Sequence, residues 1–116
     1  MHKIKQPALA RRLDVAPASG RSPYEIWLQQ LDKIAKARIQ ARIFRLEQRK
    51  LGDCKSVGNQ VFELRFTFGP GYRVYFGIDG QEIILLLLGG NKNTQRNDIL
   101  KAQAFWNSYF EEKNNG

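Results

Sequence analysis

Hydrophobic positions along the chain change period twice, and the changes divide it into segments. From Ser22 to Leu51 apolar residues recur at helical spacing: Trp27, Leu28, Leu31, Ile34 and Ala35, then Ile39, Ile43 and Leu46 on one stripe. Ser22, Pro23 and Glu25 supply a capping hydroxyl, a proline for the first turn and an acid at the positive end of the dipole. Gly52 closes the segment, which reads as one bent helix or a helical hairpin.

After Gly52 the period falls to two. In "QVFELRFTF" Phe62, Leu64, Phe66 and Phe68 take one side, and Val61, Glu63, Arg65 and Thr67 the other. Gly69-Pro70-Gly71 makes a turn into "YRVYFGI", where Tyr72, Val74, Phe76 and Ile78 form the apolar set opposite Arg73 and Tyr75. Asp79-Gly80 is a hairpin signal, and the unbroken run from Gln81 to Leu88 reads as a strand covered on both faces or central in its sheet. The expectation is a three-stranded antiparallel meander. Its apolar face packs on the helices, and its other face carries Glu63, Arg65, Arg73 and Tyr75 in the open. A final segment bearing Ile99, Ala102, Phe105, Trp106, Tyr109 and Phe110 is a helix too apolar to stand alone, with Trp106 in a core.

Length and charge sharpen this picture. A chain of 116 residues fits one domain, and 19 basic against 11 acidic residues give a net charge of +8, which points to a polyanionic partner, nucleic acid first. Basic residues concentrate in the helical segment: seven lie between Lys33 and Lys50 against one acid, Glu47. Arg38, Arg42, Arg45 and Arg49 follow i, i+4, i+7, i+11 spacing, a basic ridge suited to phosphate contacts. Residues 1–20 read as a basic extension whose one ordered part is a short strand around "RRLDV", residues 21–112 as the domain, and 113–116 as a tail.

Several chemistries drop out. Cys54 is the one cysteine and His2 the one histidine, so neither a disulfide, a zinc cluster, a two-imidazole ribonuclease nor a serine-histidine-acid set can be assembled. No cofactor or metal is expected. "GGNKNT" lacks the spacing of a nucleotide phosphate loop, and the longest apolar run is far shorter than the roughly 20 residues of a membrane helix. A reducing cytoplasm fits these counts. Catalysis is left to Arg, Lys, Tyr and a few acids or amides. RNA carries its own nucleophile, the 2′-hydroxyl, so its cleavage asks for in-line positioning, charge neutralisation at phosphorus and two proton transfers.

The blocks "ARIQARIFRLEQRKLGDCKSVG", "ELRFTFGPGYRVYFG" and "LLLLGGNKNTQRNDI", in that order, resemble the RelE/HigB-like toxins of type II toxin-antitoxin systems, in particular the addiction module killer proteins. The resemblance implies an α+β fold: two N-terminal helices on a small, mostly antiparallel sheet of about four strands, with "ARRLDVA" as edge strand and a C-terminal helix. It implies ribosome-dependent cleavage of mRNA on the 70S ribosome, and inhibition by a cognate antitoxin of helix-turn-helix type. Arg73 matches the arginine thought to contact the scissile phosphate, and Arg65 and Lys92 match basic positions on the same face. Tyr75 is expected to stack on or orient a base. Gln95 joins Arg38, Arg42, Arg45 and Arg49 among the RNA-contacting residues. Asn91 stands where the killer proteins usually carry aspartate. Two alternatives stay open: a ParE-like poison of DNA gyrase, and an inactive relic that still binds its antitoxin.

Overall fold

A computed structural model describes residues 11–16, 20–80 and 83–115. The extension up to residue 10, the expected strand start at Gln81 and the last residue, Gly116, lie outside them. The fold is α+β. Strand β1 (Arg11–Asp14) leads into helices α1 (Pro23–Gln29) and α2 (Lys33–Glu47); strands β2 (Cys54–Ser56), β3 (Val61–Arg65), β4 (Tyr72–Asp79) and β5 (Ile83–Asn91) follow. A short 3-10 turn, Lys92–Thr94, then opens helix α3 (Gln95–Asn115), which takes in residues expected as a tail. The sheet order is β1-β5-β4-β3-β2. Strands β2 to β5 form a four-stranded antiparallel unit, and β1 adds to its edge parallel to β5.

Local chemistry explains the helix boundaries. The Ser22 hydroxyl accepts from the Glu25 amide at 3.1 Å with Pro23 in the first turn. The Asp32 carboxylate caps α2 by accepting from the Ala35 amide at 2.9 Å, which breaks the segment into two helices. Helix α2 ends at Glu47, and Arg49 takes a left-handed conformation at φ 65°. The expected ridge therefore loses its last member: Arg49 lies past the helix that carries Arg38, Arg42 and Arg45.

Both faces of the sheet are covered. On one, Leu28 of α1 and Ile39, Ile43 and Leu46 of α2 pack with Leu64, Phe66, Val74, Phe76, Ile84 and Leu86. On the other, Ala102 and Trp106 of α3 pack with Val61, Tyr75, Leu85 and Leu87. Each fully buried Val, Leu, Ile or Phe among them contributes about 1.5–3 kcal/mol by leaving water. The face expected to lie open is thus half occupied by α3, and the two-sided run Ile84–Leu87 is the feature that required it. Ile34, counted with the inward stripe, is 70% exposed.

A bulge in β5 at Leu87 shifts the alternation, so that Tyr75 pairs with Leu88 and Phe76 with Leu86. Two glycines admit aromatic rings against the strands. A Cβ at Gly77 would overlap the Trp106 ring on the α3 face, and one at Gly89 would overlap Trp27 on the other.

Candidate phosphate-binding site at the end of the sheet

Strand register builds the site. Pairing of β3 with β4 sets Arg65 opposite Arg73 and Glu63 opposite Tyr75, and pairing of β4 with β5 sets Arg73 beside Gly90. Two arginines directly opposite repel each other unless each finds an acceptor. They turn apart. Arg65 donates from Nε and Nη2 to Asp53 Oδ1 at 3.2 and 2.9 Å, an exposed pair with the residue just before β2. Arg73 lies inward, 12% exposed, with Nη1 donating to the Gly71 carbonyl at 2.9 Å and to the Tyr72 carbonyl at 3.3 Å.

Glu63 is the inner end of this arrangement. Its side chain is 0% exposed. Oε2 accepts from the Tyr75 hydroxyl at 2.9 Å and from Gln95 Nε2 at 2.8 Å. Oε1 faces Arg73 Nε at 3.8 Å, an ion pair longer than a hydrogen bond, and neither of these two atoms makes a hydrogen bond among the described residues. The pair is diagonal on the sheet and buried, unlike the surface pair that alternating strand residues suggest.

Tyr75 departs from expectation. Its residue is 0% exposed, so its ring has no face on which a base could stack. Burial, reinforced by the hydrogen bond to Glu63, pushes its phenol far above the ordinary range, and it stays protonated.

Lys92 is exposed and stands in the 3-10 turn where β5 ends. It adjoins Arg73 through the β3–β4 turn: a Cβ at Gly71 would lie 3.3 Å from Lys92 Cβ and 3.4 Å from Arg73 Nη1. Asn91 caps this turn, accepting at Oδ1 from the Asn93 and Thr94 amides at 2.8 and 3.3 Å. An aspartate would cap it equally, so Asn91 preserves the local structure that presents Lys92. Sequence reading missed Asp98, buried in the first turn of α3 and accepting from the Thr94 hydroxyl at 2.5 Å. Beside Gln95 an open groove of about 580 Å³ runs along α3, lined by Arg96, Ile99, Leu100 and Gln103.

The helical arginines do not act as one row. Arg42 is a brace: Nη1 donates to the Arg65 carbonyl at 2.9 Å, Nη2 to the Asp53 carbonyl at 3.2 Å, and the guanidinium lies 5.1 Å over the Phe66 ring. Burial lowers its pKa. Arg38 is exposed and lies 5.0 Å over Phe68, and Arg45 is exposed. Tyr75, Gln95 and Arg73 therefore meet at Glu63, an unanticipated hub on the α3 face, with Lys92 beside Arg73 and Arg65 turned away to Asp53. Arg38, Arg42 and Arg45 belong to the helix on the opposite face. Such a cluster can bind a phosphodiester and neutralise charge that develops on it.

Residues 26–104 match the family described as phage-derived protein Gp49-like (DUF891). An uncharacterized protein of Haemophilus influenzae strain Rd is 46% identical over 81 residues, which cover 69% of this chain and 82% of that protein. The family match contains every residue of the site from Glu63 to Gln95.

Proposed function

Since the chain belongs to the Gp49-like family of phage-derived proteins, a toxin-antitoxin-associated family, we propose that it is the toxin of such a pair and a ribosome-dependent mRNA endoribonuclease of the RelE/HigB kind. The observation that supports this reading is the inward-held Arg73, with Arg65 opposite it and Lys92 beside its turn, in a chain of net charge +8. In this reading the 2′-hydroxyl of the mRNA gives up its proton to solvent water as its oxygen attacks the adjacent phosphorus and the bond to the 5′-oxygen breaks, leaving a cyclic phosphate and, once the departing oxygen is protonated, a 5′-hydroxyl. Arg73 holds the phosphate oxygens. Arg65 exchanges Asp53 for the same phosphate as the charge on it grows. Lys92 adds charge and protonates the departing oxygen. No metal or cofactor enters the scheme.

Gln95 belongs to the phosphate side of the site, Arg38, Arg45 and Arg49 to the grip on ribosomal RNA, and Arg42 to the support of Arg65. The partner is a cognate antitoxin whose acidic residues meet this basic surface, and the site of action is the cytoplasm. Among the described residues no helix is long and apolar enough to cross a membrane.

The test is cleavage by purified protein of an mRNA, free and bound to a 70S ribosome. Cleavage of the ribosome-bound mRNA alone is expected. Intact mRNA in both, with gyrase inhibited in a supercoiling assay, would replace this reading with the ParE-like one.

A further inference from the structure

A carboxylate with no exposure is costly to keep in a fold unless its oxygens find partners, and Glu63 is such a carboxylate. Three side chains from two elements converge on it: Tyr75 from β4 and Gln95 from α3 both donate to Oε2, and Arg73 from β4 presents Nε to Oε1. The two donors hold the carboxylate in one orientation, and that orientation leaves its second oxygen facing the arginine.

We propose that Glu63 is a positioning residue that fixes the Arg73 guanidinium by its Nε edge, and Gln95 by its amide, so that the rest of the guanidinium is presented to a phosphodiester. The proposal rests on the phosphate-handling reading of Arg73, but its physical core, a carboxylate that orients an arginine, stands apart from any activity. The geometry carries it in two ways. Among the described residues Arg73 Nη1 is taken by backbone carbonyls and Nε faces Glu63, so Nη2 is the group left for an incoming anion. Repulsion from Arg65 in register would otherwise drive Arg73 outward, and Glu63 supplies the opposing charge that keeps it in. Tyr75 acts through Glu63, which gives a buried tyrosine a role at a site it cannot touch.

The experiment is nitrogen-15 NMR of the arginine Nε–H groups in the full chain, wild type against Glu63→Gln, alongside cleavage of ribosome-bound mRNA. Glu63→Gln keeps the shape and removes the charge. The proposal expects the Arg73 Nε–H signal to be distinct and protected in wild type, and in the variant to shift and be lost to fast exchange. Cleavage is expected to fall about 100-fold, the loss typical of an Ångström-scale misplacement. An Arg73 signal unchanged in a folded Glu63→Gln protein overturns the proposal, whatever the activity. If the wild type cleaves nothing, the reading as a nuclease fails, and the NMR comparison alone decides the role of Glu63. Should Glu63→Gln not fold, Tyr75→Phe loosens the carboxylate by one donor; an unaltered Arg73 signal there overturns the proposal equally.

Discussion

Arg65 and Arg73 stand directly opposite each other on β3 and β4, yet their guanidiniums part company: one reaches Asp53 just before edge strand β2, the other faces the buried Glu63. Mutual repulsion and two differently placed carboxylates make unequal arginines of a symmetric pair. The first is exposed and exchangeable, the second enclosed and fixed.

This inequality changes what Arg73→Ala does. An arginine on an open face could be removed at little cost, but removing Arg73 strands a buried carboxylate. Thermal or denaturant unfolding is expected to show a loss of about 3 kcal/mol. The double variant Glu63→Gln/Arg73→Met, which removes both charges, is expected to recover most of that stability and none of the activity. A double variant no more stable than Arg73→Ala would contradict the pairing.

Lys92 is the opposite case. It is exposed in a turn held by Asn91, so Lys92→Ala is expected to leave stability within about 0.5 kcal/mol of wild type. RNA binding titrated against salt is expected to weaken, with the slope of log affinity on log salt reduced by about one. An unchanged slope would remove Lys92 from the phosphate contacts.

Tyr24 supplies a pH test. Its hydroxyl is buried without a hydrogen-bond partner among the described residues, and burial raises its pKa from 10.0. Below pH 10 folded and unfolded chains both hold the proton, so the group adds no slope. Above it the unfolded chain releases the proton while the folded chain keeps it, and stability falls as pH rises, by about 1.4 kcal/mol per pH unit for this group. Tyr24→Phe is expected to cut the alkaline slope by that amount while changing stability at pH 7 by less than about 1 kcal/mol. Equal slopes in urea titrations of the two proteins at pH 10 and above would contradict the assignment.

Gly77 tests the packing of α3. With the Trp106 ring against its backbone, Gly77→Ala is expected to cost about 3 kcal/mol in denaturant unfolding, through overpacking. Substituting Trp106 by a smaller apolar residue is expected to make the alanine nearly neutral in that background. Full additivity of the two changes would rule the clash out.

Much of this architecture is legible in the chain because it is written as period. Ser22-Pro23 starts a helix, Ile39, Ile43 and Leu46 define a buried stripe, and alternation from Phe62 to Phe76 fixes which side chains share a face. Arg73 and its neighbours are legible for the same reason. What period does not encode is which second element covers the other face, and three-residue β2 carries too few positions to show a pattern. The carboxylates were hidden differently. Glu63 and Asp53 look like solvated charges until register sets one under Arg73 and the other beside Arg65. Arg42 and Arg49 share a spacing with Arg38, but a helix that stops at Glu47 and a backbone carbonyl at Arg65 give them different surroundings.

The central claim, a toxin that cuts translated mRNA through Arg73, is tested most directly by mapping transcript 5′ ends by primer extension. Wild type and Arg73→Lys, which keeps the charge but not the fork of donors, are each induced with translation running or blocked at initiation. The account predicts new 5′ ends inside coding regions for wild type alone, and only while ribosomes translate. Intact transcripts in growth-arrested cells, or the same cuts made by Arg73→Lys, would contradict it.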